Sequence, residues 1–161
     1  MSESADEPKS VNIDELILPG LLRHARTTYG IAMRRALADA GCDDIPGNGM
    51  YVLGALRIGA YPVADIIRDL RVSKQAAGQL IDALVLRGYL DRQTDPDDRR
   101  RITLTLTERG RAAAEVQTKA REEIDAALLA RVGDDCVRQA KIALATLAWM
   151  GRDADAEGGA D

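Results

Sequence analysis

A mainly helical fold carrying one short β wing follows from three observations. Apolar residues recur at helical spacing through most of the 161 residues, and the apolar set is rich in Ala and Leu, with no Phe and one Trp. One segment behaves differently: from Arg101 to Thr107, Ile102, Leu104 and Leu106 alternate with three threonines. Ala and Leu favour helix by propensity, whereas strict alternation is the period of a strand with one buried face. The expected architecture is six helices with a two- to three-stranded wing between the fourth and fifth.

Each element has its own signal. Residues 1–11 are acidic and expected to be mobile. Pro19 suits a first helical turn, and Leu22, Ala25, Tyr29, Ala32, Met33 and Ala36 carry that helix to Gly41. After a loop with Pro46 and Gly47, a second helix is expected from Asn48 to Ile58, and Pro62 opens a short third helix to about Leu70. Ser73 is the expected N-cap of a fourth, which Gly88 ends. Its inward face is Ala77, Leu80, Ile81, Leu84 and Val85, and Lys74, Gln75, Gly78, Gln79 and Asp82 project outward. Thr107-Glu108 caps a long fifth helix to about Arg131, and Gly133-Asp134 restarts a last one through Met150. Residues 151–161 read as a disordered acidic tail.

The first and last helices each carry an apolar stripe several turns long, which a small helical core cannot cover. Pairing them across a two-fold axis would bury both, so a homodimer is expected. The chain then divides into a dimerisation helix and loop over 12–47, a central domain over 48–106, and two further dimerisation helices over 107–150.

The formal net charge of −4 is unevenly spread, with −4 on residues 1–15, −3 on 151–161 and +3 on the remainder. Between Arg68 and Arg111 cations outnumber anions, and Arg99, Arg100 and Arg101 follow Asp95, Asp97 and Asp98 in the turn between the strands. Helices three and four, joined across Arg71-Val72, have the spacing of a helix-turn-helix, and a cationic hairpin behind them makes a winged helix. That arrangement points to double-stranded DNA. Ser73 can meet a phosphate, Lys74 a guanine or a phosphate, Gln75 and Gln79 can each read an adenine edge, and Ala76 can meet a thymine methyl. An Arg at a hairpin tip can enter a narrow minor groove, oriented by a neighbouring Asp. The competing reading is a winged helix that docks a protein instead.

Enzyme chemistry lacks its inventory: there is no Walker A loop, no GxGxxG, no HExxH and one His. No cofactor or metal site is expected, and Cys42 and Cys136, far apart, are expected to be free thiols. No stretch has the length of a membrane span and the acidic N-terminus is unlike a signal peptide, so a cytoplasmic protein is expected.

Asp95-Pro96-Asp97-Asp98-Arg99-Arg100, followed by Leu104-Thr105-Leu106-Thr107-Glu108-Arg109-Gly110, resembles the wing and exit of MarR-type transcriptional regulators. Val72-Ser73-Lys74-Gln75 and Leu84-Val85-Leu86-Arg87-Gly88-Tyr89-Leu90 match the same pattern, so the specific resemblance spans about Ala64–Gly110. It implies a dimeric regulator, usually a repressor, on a palindromic site. It places the minor-groove arginine at Arg100, its supporting aspartate at Asp98 and the base-reading segment at Ser73 to Gln79. Gln75-Ala76-Ala77-Gly78 departs from the Ser/Thr-rich pattern common there, so the operator sequence does not follow. The resemblance also implies release by a small aromatic or anionic effector in a crevice, for which His24, Tyr29, Tyr51 and Arg57 are the candidates. The oxidant-sensing cysteine of some relatives lies near the start of the first helix, where this chain has none.

Overall fold

The structure, a computed structural model, describes residue 12 and residues 15–57, 67–68, 70, 72–94 and 102–157. Helix α1 (Leu18–Asp39) opens with Pro19 in its first turn, where a missing N–H removes no helical bond. It ends because Gly41 takes a φ of 72°, which returns its amide to Ala38 and that of Cys42 to Leu37. Then come α2 (Gly49–Arg57), α3 (Lys74–Leu86), β1 (Leu90–Thr94), β2 (Ile102–Leu106), α4 (Glu108–Val132) and α5 (Asp134–Glu157). Of the expected third helix, Ile67, Arg68 and Leu70 are described and are helical, and the rest lies outside the described residues. Helix α3 is thus the fourth helix of the sequence.

The core sits where α2, α3, the hairpin and the first turns of α4 meet. Leu37, Val52, Leu53, Leu56, Ile81, Leu84, Tyr89, Leu90, Leu104, Ala113 and Ala114 form one cluster. Each fully buried large side chain there contributes about 1.5–3 kcal/mol of hydrophobic stabilisation. The expected inner face of α3 is the observed one: Ala77, Ile81 and Leu84 are buried and Leu80 and Val85 half-buried. Helix α1 packs along α4, and the Tyr29 hydroxyl donates to Asp125 across that seam.

The turn from α3 into the hairpin is set by backbone geometry. Gly88, at φ 73°, lets its own amide bond Val85 and the Tyr89 amide bond Leu84, so the chain leaves the helix directly into β1. The strands pair antiparallel, with Leu90 opposite Leu106 and Arg92 opposite Leu104. Their described pairing makes a two-stranded sheet. Thr107 caps α4, its hydroxyl accepting the Gly110 amide at 2.9 Å while donating to the Gly88 carbonyl at 2.6 Å. The Thr107 amide also donates to the Tyr89 carbonyl at 3.1 Å, so the entry to β1 and the exit from β2 are stitched together.

Helix α5 runs on past Met150, where the sequence reading stopped it, to Glu157. The expectation of a disordered tail from residue 151 is corrected over 151–157. The stretch Arg152-Asp153-Ala154-Asp155-Ala156-Glu157 holds no Gly or Pro, and its alanines are strong helix formers, so an acidic, small-residue composition does not end the helix there. Between Asp134 and Met150 only Val137 and Ala145 are even half-buried.

Two glycine substitutions separate the constraints. A Cβ on Gly110 would collide with the Tyr89 carbonyl oxygen, whereas one on Gly78 meets nothing within 4 Å. Gly110→Ala is expected to lose about 2–4 kcal/mol through a backbone clash that no side chain can relieve. Gly78→Ala is expected to gain up to about 1 kcal/mol from helix propensity. Urea unfolding of the two variants beside the parent checks both signs.

Candidate nucleic-acid interface

The first turn of α3 is built as a cap. Ser73 has extended backbone and its hydroxyl accepts the Ala76 amide at 3.2 Å. Its oxygen is therefore engaged in the cap while its own O–H can still donate outward. Ser73, Lys74, Gln75, Ala76 and Gln79 are all exposed, and Gly78 between them leaves open space above the helix. The sequence-predicted reading residues thus share one solvent-facing surface, with Gln75 and Gln79 one turn apart.

Asp82 marks the far edge of that surface, and its carboxylate is not isolated: Arg92 of β1 donates to it. Arg92 lies opposite Leu104 in the ladder, on the face that meets α3, so it stretches from the hairpin to the helix. The pair is exposed at its rim and fixes helix against hairpin more than it adds stability. Asp98, Arg99 and Arg100, the expected wing tip, lie outside the described residues.

Behind α3 is a polar corner that sequence reasoning did not single out. The buried Tyr89 hydroxyl donates to Asp44, in the loop after α1. Arg109, in the first turn of α4, donates to the same carboxylate at 3.1 Å and to the Arg87 carbonyl at 2.6 Å. Its guanidinium carbon lies 4.3 Å from the centre of the Tyr89 ring, a cation–π contact. Burial first, and then the bond to Asp44, raises the Tyr89 hydroxyl pKa well above its ordinary value. The hydrogen bond from Tyr89 holds the Asp44 carboxyl below its usual range, with Arg109 adding to the effect and partial burial opposing it. Arg109 and Tyr89 were visible in the sequence only as motif letters, and Asp44 carried no signal, because a loop carboxylate looks the same whether solvated or paired.

The four effector candidates are spread over two helices. His24 and Tyr29 lie on α1 and Tyr51 and Arg57 on α2, and the Tyr29 hydroxyl is committed to Asp125. That bond raises the Tyr29 hydroxyl pKa. Arg57 does line a cleft of about 390 Å³, together with Leu56, Leu104, Leu106, Arg111 and Glu115. Both cysteines are free, Cys42 buried in the core and Cys136 exposed on α5. Among the described residues no cluster of three or more His, Cys, Asp or Glu can hold a metal ion, and no helix is long and apolar enough to cross a membrane.

Comparison with known proteins places this geometry. Residues 43–101 match the model of the MarR family. A regulator from Bacillus subtilis strain 168, the uncharacterized HTH-type transcriptional regulator YwhA, is 29% identical over 106 residues, covering 65% of this chain and 76% of its own. Among solved structures, the S. aureus MepR–DNA complex superposes with a TM-score of 0.69 at 21% identity, over 84% of this chain and 99% of that one. Streptococcus pneumoniae FabT in complex with DNA gives 0.72 at 17% identity, over 84% and 95%. At such identities the structural likeness speaks for the winged-helix fold. The relatives are transcriptional regulators, not enzymes.

The corner has a pH signature. A depressed carboxylate pKa contributes stability that is present above the ordinary value of 3.8 and is lost as pH falls through the folded value. Asp44→Asn is therefore expected to be less stable than the parent at neutral pH, with the gap closing on acidification below 3.8. Urea midpoints measured for both proteins across that range test it, and a gap independent of pH would show that the carboxylate charge plays no part.

Proposed function

We propose that the chain is a MarR-type regulator: a dimeric, sequence-specific DNA-binding transcriptional regulator, acting as a repressor in the cytoplasm, a reading supported by the family match over residues 43–101. The observation that carries the DNA-binding part is the exposed first turn of α3, where Ser73, Lys74, Gln75, Ala76 and Gln79 stand together on a helix wedged against a hairpin. The solved complexes of MepR and FabT with DNA support the same reading. In it, Gln75 and Gln79 read base edges, Lys74 and the first-turn amides of α3 hold phosphates, and Arg99 and Arg100, with Asp98 orienting Arg100, reach the minor groove.

The dimer rests on a second observation. Leu18, Leu21 and Ile31 on α1, and Ile142, Leu144, Leu147, Trp149 and Met150 on α5, are exposed apolar side chains. A 24-residue helix with so little buried surface has no reason to hold together alone, and a second copy offers the matching stripe. Two copies related by a two-fold present two reading helices, and a palindromic operator is the DNA counterpart of that symmetry. Release by a small aromatic or anionic effector completes the reading. The cleft beside Arg57 and Arg111 offers such a molecule two cations, one carboxylate (Glu115) and a leucine wall, and it would act only through unequal affinity for two spacings of the reading heads.

Selection of bound sequences from a random duplex pool tests DNA reading, symmetry and half-site spacing together. The expected product is a palindrome whose binding weakens steeply with salt. No duplex bound by the dimer at low salt would favour a protein-docking winged helix instead. On the selected duplex, Gln75→Ala or Gln79→Ala is expected to cost on the order of 1–3 kcal/mol at one or two base pairs. Arg99→Ala or Arg100→Ala is expected to weaken all sequences alike and to flatten the salt slope. Identical behaviour of the two classes would overturn this division of labour. For the dimer, Ile142→Glu with Trp149→Glu, seven residues apart on one face of α5, is expected to sediment as a monomer. A dimer unchanged by both carboxylates would place the interface elsewhere.

A further inference from the structure

Arg109 joins three segments with one guanidinium. It bonds the Arg87 carbonyl, which closes the C-terminus of α3, and the Asp44 carboxylate, which belongs to the loop leaving α1. It is itself carried on the first turn of α4, the helix against which α1 packs. Tyr89 locks the arrangement from beneath, its ring under the guanidinium and its hydroxyl on Asp44. Every one of these contacts lies at the end of α3 opposite to its exposed reading residues.

That placement makes a lever. Gln75 lies 12 residues before Arg87, so its backbone is about 18 Å along the helix from the anchored carbonyl. A tilt of about 10° at the anchored end therefore moves the reading residues by about 3 Å, close to the rise from one base pair to the next. The α3 surface that faces α2 is apolar, and apolar packing is non-directional. Directional side-chain bonds reach α3 from Arg92, on Asp82 midway along it, and from Arg109, on the Arg87 carbonyl at its C-terminal end.

We propose that Arg109 is a positioning residue for DNA recognition, setting the angle at which α3 meets the duplex by holding the Arg87 carbonyl and the Asp44 carboxylate together. The proposal rests on the DNA-binding reading above and adds to it a residue that touches no DNA. Lysine cannot replace it, because a single ammonium on a flexible stem lacks the planar fork that reaches both acceptors at once.

The test uses the duplex selected by the full-length parent, with Arg109→Gln and Arg109→Lys as variants and Tyr89→Phe as the lock-release control. Affinity for that duplex is expected to fall about tenfold or more in both Arg109 variants, the value of about one misread base pair, with the salt slope unchanged. Tolerance of half-site spacings one base pair longer or shorter is expected to rise, with a smaller change of the same kind in Tyr89→Phe. A second readout needs no DNA: nitroxides at Gln79→Cys and Lys119→Cys, in a Cys136→Ser background diluted with unlabelled protein, report the angle between α3 and α4. Their distance distribution is expected to broaden in Arg109→Gln. An unchanged distribution, or a salt slope reduced by one phosphate contact, would overturn the proposal. A loss of affinity matched by loss of melting temperature, with spacing preference intact, would reduce Arg109 to a structural residue. A parent protein that selects no duplex would end the DNA-binding reading itself, while the nitroxide distances would still decide whether Arg109 fixes the helix angle.

Discussion

The molecule depends on a single close approach, that of the Gly110 backbone to the Tyr89 carbonyl. The hairpin must bring the chain back to where α3 ended, and only a residue without Cβ lets α4 start that near. Around this contact the polar groups are satisfied in turn, the Thr107 amide on the Tyr89 carbonyl and the Thr107 hydroxyl on the carbonyl of Gly88. Arg109 then follows on the next face of the same turn, over the Tyr89 ring. The wing root, the end of α3 and the start of α4 are therefore one unit: the backbone contact brings them together, and Arg109 ties them to the loop after α1.

Polar and apolar forces divide the chain between them. The apolar cluster gathers α2, α3, the hairpin and the first turns of α4, and it accounts for a winged helix of ordinary construction. A buried polar side chain interrupts the α2–α4 seam: the Gln117 amide nitrogen donates to the Met50 carbonyl at 3.0 Å, while its oxygen has no partner among the described residues. Among the described residues α5 has no such cluster, and its large apolar side chains face outward. The described pairs Arg138–Asp135 and Arg121–Glu122 are exposed and local to one helix.

Much of the fold could be read from the sequence because its signals were local. Ser73 and Thr107 announced caps, Gly41 and Gly88 announced stops, and alternating Ile102, Leu104 and Leu106 announced a strand. The exposed surface of α3 followed from helical period alone. What stayed hidden was whatever depended on contact between distant segments. The partnership of Asp44 with Tyr89 and Arg109 spans 45 and 65 residues, and no local pattern encodes it. The pairing of Asp82 with Arg92 was hidden for a related reason: by helical period Asp82 is one more outward side chain until the hairpin folds back over it. The end of α5 was hidden for another reason: an acidic, small-residue composition reads as a tail, while the helix propensity of the alanines within it prevails.

The bare surface of α5 has a consequence for how such a protein behaves at low abundance. In the proposed dimer, a helix that finds its core on another copy makes folding and assembly one equilibrium. Each tenfold dilution then weakens the folded assembly by about 1.4 kcal/mol. Copy number thus becomes a structural variable. A cell holding few molecules would hold a larger share of them unassembled and open to proteolysis, so the abundance of the chain would feed back on its own survival.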